Sequence, residues 1–379
     1  MHEQTAADAV QPFRVDVPQA EVDDLADRLT RTRWPAPAPA DAEDGSRGLP
    51  AAVLRELVEH WCTGWDWRAQ EAALNAWPQV TTTVDGTRLH ALHVRSPEPD
   101  AVPLVLVHGW PGSIVEFARV LGPLTDPRAH GGDPADAVHL VVPSLPGYGF
   151  SGPPPDTGWT TARMARAVAE LVRRLGYDRY AAHGGDWGSQ VVRDLAVCDA
   201  AHLLGVHVTM TMGLAAGQPT TEDERRAAER AARFRRDLAG YNLLQSTRPL
   251  SIAAALTDSP VGQLAWIAER FAEWTDPASV VDRDLLLTDV AVYWFTRTAG
   301  SSAQVYWETR HAGPGEWSRE VPTGVAVFPY ELIPPTRAVV ARTVDLVHWT
   351  EFDRGGHFPA IEVPDLLVGD LRAFLRRAR

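Results

Sequence analysis

The chain has 379 residues, 45% of them hydrophobic, which is enough to bury the core of one large domain with insertions. Its formal net charge of -13 argues against a nucleic-acid partner or an anionic membrane surface, because both require a positive field on the protein. The stretch Met1–Thr30 has no uninterrupted apolar run, so we expect neither a signal peptide nor a membrane span. The only cysteines, Cys62 and Cys198, favour a reducing compartment, in the simplest case the cytoplasm.

A helical segment comes first along the chain. Pro18–Leu29 has the spacing of an amphipathic helix, and the prolines of Pro35–Pro39 then end it. Two short helices are predicted over Ala51–Trp61 and Trp67–Ala76. Their tryptophans favour packing onto a neighbouring part of the protein over ligand binding: Trp61, Trp65, Trp67 and Trp77. We take residues 1–79 as an N-terminal helical meander.

Strands begin at residue 80. Val80–Val84 and Arg88–Val94 flank Asp85-Gly86, a two-residue turn that predicts a β-hairpin. Helical stretches such as Met164–Leu175, followed by Gly176 at the position of a C-terminal cap, separate most of the later apolar runs. This alternation predicts an α/β sheet covered by helices on both faces. The runs typical of buried parallel strands are Leu104–Val107, Val138–Val142, Tyr180–His183, Gly205–Thr209, Val325–Phe328 and Asp345–Trp349.

A long region of helical character separates the strand ending at Thr209 from the strand starting at Val325. It is longer than a crossover within the core needs, so we expect an inserted helical cap over residues 213–310. The core is then divided into residues 80–212 and 311–379. Arginines in Arg225–Arg236 are interleaved with acidic residues, which favours a solvated amphipathic helix over a basic patch.

The run His183–Ser189 places Asp186 at the centre of a G-x-D-x-G elbow, directly after an apolar strand. Such a turn needs Gly184 and Gly188, because the backbones approach too closely for a Cβ. A carboxylate that attacks a saturated carbon forms an alkyl ester, which suits the opening of epoxides or carbon–halogen bonds. The alternative is a plain N-cap role for Asp186, and its place after the strand favours the nucleophile.

A second motif, His108–Gly112, follows the apolar strand Leu104–Val107 at the position where an oxyanion-hole amide is expected. The backbone N–H groups of Trp110 and Trp187 are our candidate donors to the oxyanion that forms when water attacks the ester. A plain tight turn is the alternative for this motif taken alone.

The candidate base is His357, in the loop Arg354–Phe358 after the last apolar strand. The acid that orients it should follow the preceding strand, which places Glu331 at the expected position. The chain order is then nucleophile, acid, histidine. Rivals for the acid are Asp345, Glu351 and Asp353.

Taken together, these motifs resemble epoxide hydrolases of the microsomal and juvenile-hormone type, within the α/β-hydrolase superfamily. The resemblance implies an α/β-hydrolase fold with a mostly parallel sheet, a helical cap and an N-terminal meander. It also implies that Tyr241 and Tyr306 are the cap tyrosines that donate hydrogen bonds to the epoxide oxygen. A membrane anchor like that of the microsomal enzymes is missing, so a soluble protein is expected. The resemblance covers nearly the whole chain and rests on Phe13–Val15, His108–Ser113, Pro146–Ser151, the Asp186 elbow, Gln245–Pro249, Asp258–Gly262 and the His357 loop.

The sequence therefore predicts a cofactor-independent epoxide hydrolase that forms a vicinal diol from a small-molecule epoxide, as a monomer or homodimer. The aromatic residues Phe150, Trp294 and Trp307 motivate an aryl or otherwise bulky substrate. No metal or nucleotide site is expected, since no H-E-x-x-H motif occurs and the chain has no lysine for a P-loop. Relatives act in detoxification and in secondary metabolism, including enediyne antibiotic pathways, and the lysine-free composition resembles a high-GC actinobacterium.

Two alternatives remain open from sequence. A haloalkane or haloacid dehalogenase shares an Asp nucleophile and an elbow tryptophan such as Trp187, but a halide leaves without a proton and has no need of Tyr241 and Tyr306. A non-catalytic ligand-binding protein on the same scaffold has no need of the full set of catalytic positions.

Overall fold

The computed structural model describes residues 9–37, 39, 44–212, 219–313 and 315–378. Within them, one 9-stranded sheet has the order β1-β2-β3-β5-β4-β6-β7-β8-β9. The pairs from β1 to β3, and β3 with β5, are antiparallel, and all the others are parallel. The strands are β1 Gln11–Phe13, β2 Gln79–Val84, β3 Thr87–Val94, β4 Val102–Val107, β5 Val138–Pro143, β6 Tyr180–Gly184, β7 Leu203–Val208, β8 Pro322–Val327 and β9 Asp345–Glu351.

Every strand that the apolar runs predicted is present, within a few residues at each end. The Asp85-Gly86 turn joins β2 and β3 as expected, with φ of 50° and 72°, the left-handed values that a tight hairpin turn requires. The strand β1 was not predicted, because its residues Gln11–Phe13 are too few to show an alternating pattern.

Helices cover both faces of the sheet and form the region between β7 and β8. A short π-helix, Phe234–Leu238, continues the seventh helix. The helices are α1 Gln19–Thr30, α2 Ala51–Thr63, α3 Trp67–Leu74, α4 Leu121–Thr125, α5 Thr161–Arg174, α6 Asp186–Cys198, α7 Glu222–Arg233, α8 Gly240–Thr247, α9 Pro249–Asp258, α10 Pro260–Trp274, α11 Arg283–Thr296, α12 Ala299–Ala312, α13 Arg337–Thr343, α14 Pro359–Glu362 and α15 Pro364–Ala378.

The N-terminal helices pack against the helical region α7–α12. The Trp65 indole N–H donates to Thr288 Oγ1 at 3.3 Å, and the Trp67 ring centroid lies 4.6 Å from that of Phe295. The packing role predicted for these two tryptophans is therefore confirmed. None of the helices in the described ranges is both long enough and apolar enough to cross a membrane.

The helical region α7–α12 lies between β7 and β8, where the cap was predicted, although residues 213–218 of the predicted cap lie outside the described residues. The arginines of α7 pair with acids on the same helix, for example Arg225 with Glu222 at 2.8 Å, so the solvated helix expected there is confirmed. Helix α11 connects the cap to the loop after β4, since Tyr293 Oη donates to the Gly112 carbonyl at 2.7 Å. This bond places α11 against the loop that follows the carboxyl end of β4.

Candidate active site

Asp186 stands at the turn between β6 and α6 with a φ of 46°, a left-handed conformation that is strained for a residue with a side chain. A Cβ on Gly188 would lie 2.0 Å from the Val107 carbonyl oxygen, and one on Gly184 would lie 2.4 Å from the backbone of Gly188. The elbow therefore requires both glycines, as the sequence indicated. Its effect is to raise the Asp186 carboxylate above the sheet at the start of α6.

The loop after β4 binds the Asp186 carboxylate. Trp110 N–H donates to Asp186 Oδ1 at 2.8 Å, and a Cβ on Gly109 would lie 2.3 Å from the Cβ of Asp186. His108 holds this loop: its Nε2 accepts from Leu145 N–H at 3.1 Å, so its Nδ1 proton donates to the Gly109 carbonyl at 2.9 Å. Burial lowers the pKa of His108 to about 4, which keeps that imidazole neutral.

His357 lies between two carboxylates. Its Nδ1 is 2.8 Å from Glu331 Oε1, and its Nε2 is 3.5 Å from Asp186 Oδ2. His357 N–H donates to the Trp274 carbonyl at 3.0 Å, which fixes the loop that carries the ring. Glu331 is 0% exposed and also accepts from Leu332 N–H at 2.7 Å. The rival acids Asp345, Glu351 and Asp353 are all exposed.

The charges around His357 decide its protonation. Burial alone favours the neutral ring, but the Glu331 charge and the hydrogen bonds to Asp186 and Glu331 raise the pKa of His357 well above its usual value. Any reaction that converts the Asp186 carboxylate into a neutral group removes part of this effect. A larger fraction of the imidazole is then neutral and able to accept a proton than in the resting site.

Tyr241 on α8 and Tyr306 on α12 face the elbow from the cap. Their ring centroids are 6.0 Å apart, and the Trp110 ring stacks on Tyr241 at 5.2 Å and meets Tyr306 edge-on at 5.9 Å. Trp187, whose amide belongs to the first turn of α6, places its ring 4.7 Å from Tyr306. Tyr306 Oη is buried and has no hydrogen-bond partner among the described residues. Burial, followed by the charge of Asp186 or of the neighbouring phenol, raises the pKa of both phenols, so both are held as donors.

The three aromatic residues predicted to line the substrate pocket lie elsewhere. The Phe150 ring is 5.2 Å from that of His90, beside β3, and the Trp294 ring lies 5.7 Å from the guanidinium of Arg28 on α1. Trp307 is 37% exposed, with its ring 4.0 Å from that of His311. We therefore leave Phe150, Trp294 and Trp307 out of the candidate site; Phe150 and Trp294 pack between elements, a common use of aromatic side chains.

A buried carboxyl group outside the predicted site lies next to the same loop. Glu116 Oε2 is 2.5 Å from the position that a Cβ on Gly112 would take, and burial raises the pKa of Glu116 to about 8. Nearby, Ser113 Oγ donates to the buried Asp289 at 2.5 Å. The signal in the sequence is a single acid inside the apolar run Ile114–Phe117.

A separate buried cluster joins β7, β9 and α15. Asp370 on α15 accepts from His207 Nε2 at 2.9 Å and from His348 Nε2 at 2.7 Å, and His207 Nδ1 is 2.9 Å from His183 Nδ1. The ligand-type atoms of His207, His348 and Asp370 lie within 4.8 Å of one another, which a metal site would also need. As they stand, these atoms are hydrogen-bonded to each other.

The chain matches two family models and is similar to a named relative. Residues 10–117 match the family model described as epoxide hydrolase N terminus, and residues 102–256 match the model described as alpha/beta hydrolase fold. A protein of Stigmatella aurantiaca named as an epoxide hydrolase is 45% identical over 378 residues, which span 98% of this chain and 86% of that protein.

Two solved structures cover almost the whole chain. The epoxide hydrolase of Aspergillus niger superposes with a TM-score of 0.87 at 34% identity, covering 99% of this chain and 98% of that one. The juvenile hormone epoxide hydrolase of the silkworm Bombyx mori superposes with a TM-score of 0.89 at 27% identity, covering 98% and 95%. The expected fold, with its mostly parallel central sheet, is therefore confirmed.

Proposed function

The chain belongs to the epoxide hydrolase family of the α/β-hydrolase fold, and from that premise we propose that it opens its epoxide through a covalent ester on Asp186 and releases a vicinal diol. The observation that carries this mechanism is the position of the Asp186 carboxylate. One of its oxygens accepts from Trp110 N–H at 2.8 Å, and the other lies 3.5 Å from Nε2 of His357. One carboxylate therefore contacts an oxyanion donor and a base at once.

The first step is alkylation. Asp186 Oδ2 attacks an epoxide carbon while Oδ1 stays hydrogen-bonded to Trp110 N–H and becomes the ester carbonyl oxygen. The opening epoxide oxygen accepts hydrogen bonds from Tyr241 and Tyr306. An alkoxide is a poor leaving group without a proton, so phenols held in an aromatic enclosure meet the chemical need.

The second step is hydrolysis of the ester. His357 takes a proton from water, which attacks the carbonyl carbon of Asp186, and Glu331 holds the imidazole and stabilises its protonated form. The developing oxyanion at Oδ1 is stabilised by the amides of Trp110 and Trp187, an effect worth about two to three orders of magnitude per donor. No metal or organic cofactor takes part in either step, so we expect activity to survive a chelator.

The substrate is an aryl or otherwise bulky, apolar epoxide. Aromatic side chains surround the nucleophile on the cap side, with Trp274 5.1 Å from Tyr241 in addition to the contacts of Trp110 and Trp187. Such an aromatic wall binds apolar groups, and the phenol hydroxyls of Tyr241 and Tyr306 are its polar groups. Epoxides of this kind arise in detoxification and in secondary metabolism, including the enediyne pathways suggested by the sequence resemblance. The composition supports a cytoplasmic monomer or homodimer, which gel filtration with light scattering would test.

Diol formation from racemic styrene oxide by the wild type and by Asp186→Ala tests the mechanism. Asparagine is avoided, because deamidation would restore the nucleophile. We expect diol from the wild type alone, with a set of aliphatic epoxides turned over more slowly. Diol from both proteins would show that Asp186 is not the nucleophile, and faster turnover of the aliphatic epoxides would overturn the substrate class.

A further inference from the structure

Helix α10 carries an arginine on its buried face. Arg270 is 3% exposed and lies between the apolar positions Ile267 and Trp274 of the same face, which are 2% and 0% exposed. A guanidinium at such a position loses most of its hydration, a cost that must be offset by specific partners. The neighbours of Arg270 are of two kinds, carboxylates and aromatic rings.

Arg270 pairs with two partly exposed carboxylates. Arg270 Nη2 pairs with Glu269 and, at 3.3 Å, with Glu273, whose side chains are 24% and 23% exposed. Nε of Arg270 has no hydrogen-bond partner in the described part of the chain. The two carboxylates thus pair with one terminal nitrogen, while Nε has no partner in this part of the chain.

The guanidinium of Arg270 also lies beside Tyr241 of the candidate active site. The central carbon of the Arg270 guanidinium lies 4.9 Å from the ring centre of Tyr241 and 5.7 Å from that of Trp274. This is the range of a cation–π contact, which is stronger when the cation is desolvated, as it is here. No comparable cation lies over Tyr306 among the described residues; its ring neighbours are Trp110, Trp187 and Tyr241.

We infer that Arg270 is a positioning residue that acts through Tyr241 and makes this phenol, not Tyr306, the one that transfers its proton to the opening epoxide. Tyr306 then serves as the second hydrogen-bond donor and keeps its proton. The inference rests on the proposed function, because it assigns unequal parts to the two tyrosines of that mechanism.

When the carbon–oxygen bond breaks, its electron pair stays on the epoxide oxygen, which takes the proton of Tyr241 Oη and leaves a phenolate. In the second step water adds hydroxide to the ester carbonyl carbon; the tetrahedral intermediate then expels the diol oxygen, which takes the proton of the added hydroxyl, and Asp186 returns as a carboxylate. The other proton of the water goes to His357. That proton returns to the phenolate, so one epoxide and one water give one diol.

The change in charge during alkylation strengthens the effect of Arg270 on Tyr241. In the resting site burial and the negative charge of Asp186 raise the pKa of Tyr241, and Arg270 lowers it. Alkylation turns Asp186 into a neutral ester, which removes its opposing charge while the guanidinium stays in place. The negative charge therefore passes from Asp186 to the phenol beside the cation, where a Coulombic attraction adds to the cation–π contact.

The test is a set of double-mutant cycles on the rate constant of ester formation. Arg270→Met removes the charge and keeps the length of the side chain, while Arg270→Lys keeps the charge. Each is made in the wild type, in Tyr241→Phe and in Tyr306→Phe. Ester formation and ester hydrolysis are followed separately by stopped-flow tryptophan fluorescence with styrene oxide. Arg283→Met, an exposed arginine at the start of α11 paired with Glu56, is the matched control.

We expect Arg270→Met to slow ester formation about 10- to 30-fold in the wild type and in Tyr306→Phe, and less than about 2-fold in Tyr241→Phe. Arg270→Lys should restore part of the rate, and the hydrolysis rate constant should stay within about 2-fold, since the attack of water on the ester relies on His357 and Glu331.

An equal loss in both tyrosine backgrounds, or equal losses in both steps, would overturn the inference and assign Arg270 to packing alone. An unchanged rate in Arg270→Met would overturn it as well. A failure of the proposed function itself is distinguishable, because the wild type would then show no ester phase and Asp186→Ala would still form diol.

Discussion

Nε2 of His357 lies 3.5 Å from Oδ2 of Asp186, so the base and the nucleophile of the proposed reaction are direct neighbours. The opposite nitrogen of the ring is fixed at 2.8 Å from Glu331. A base held beside the nucleophile has no part in the attack of an already ionised carboxylate. It acts once the carboxylate has become an ester, and the two half-reactions can therefore be separated by mutation.

Replacing His357 should trap the ester. In His357→Gln we expect ester formation to persist and hydrolysis to fall by about two to four orders of magnitude, because the general base is lost. Intact-protein mass spectrometry after mixing with styrene oxide should show the chain heavier by one substrate molecule. A variant that turns over at the wild-type rate, or one that never gains mass, would contradict this role.

Replacing Glu331 should move the pH profile as well as the rate. The carboxylate raises the pKa of His357, so Glu331→Gln should lower that pKa. Since the neutral imidazole is the active form, the hydrolysis rate constant should begin to rise at a lower pH than in the wild type. The rate constant at the plateau should also be smaller, because the ring is no longer oriented. Glu351→Gln, at an exposed acid of β9, is the control and should leave both unchanged. A profile that keeps its midpoint would argue against the pair.

The residues that could be predicted from the sequence are those placed by local geometry. Asp186, Trp110 and His357 each follow an apolar strand, and their loops contain glycines that a close backbone approach demands. Gly188, for example, would place a Cβ 2.0 Å from the Val107 carbonyl. Glu331 could be proposed by chain order, and the distance to His357 then separated it from its rivals.

The remaining features depend on how the cap helices pack, which no local pattern contains. Trp294 was predicted to line the pocket because it is aromatic, but on α11 its ring lies beside Arg28. An arginine is usually exposed to solvent, but Arg270 is buried on α10 beside Tyr241. Tyr241 and Tyr306 came from the family resemblance, since spacing alone gives no reason to separate them from core residues.

The contact between the two loops can be tested at Gly109. A Cβ there would lie 2.3 Å from the Cβ of Asp186, so Gly109→Ala must displace the carboxylate or the Trp110 amide that binds it. We expect ester formation to slow by about two orders of magnitude or more, as for a misplaced reacting group. Gly369→Ala on α15, where a Cβ meets nothing within 4 Å, should keep full activity. Wild-type kinetics in Gly109→Ala would show that the two loops are not tightly coupled.

The buried Glu116 should make stability depend on pH. Burial raises the pKa of Glu116 from 4.5 to about 8, so between these values the unfolded chain is ionised at this group and the folded chain is not. Its contribution to stability therefore falls as pH rises through that window, by up to ~1.4 kcal/mol per pH unit. In urea unfolding, Glu116→Gln should gain stability relative to the wild type between about pH 5 and about pH 8. A constant difference between the two proteins would contradict this account.

The cluster around Asp370 should matter for stability and not for chemistry. Its carboxylate accepts from His207, His348 and, at 2.5 Å, Thr350 Oγ1, so Asp370→Ala leaves several buried donors without an acceptor. We expect a loss of about 3–5 kcal/mol in the free energy of unfolding, with activity per folded molecule kept.

The control for Asp370 lies on the same helix. Asp365→Ala, at a side chain that is 63% exposed and paired with Arg354, should cost about 1 kcal/mol or less.

Although burial opposes ionisation, the hydrogen bonds from His207 and His348 hold the pKa of Asp370 below its usual range. Its stabilising effect is therefore complete above the unfolded pKa of about 4 and is lost as pH falls through the lower folded value. The gap between wild type and Asp370→Ala should stay constant from neutral pH to about pH 5 and narrow in stronger acid. A gap that widens in acid would mean that the histidines, not the carboxylate, carry the charge.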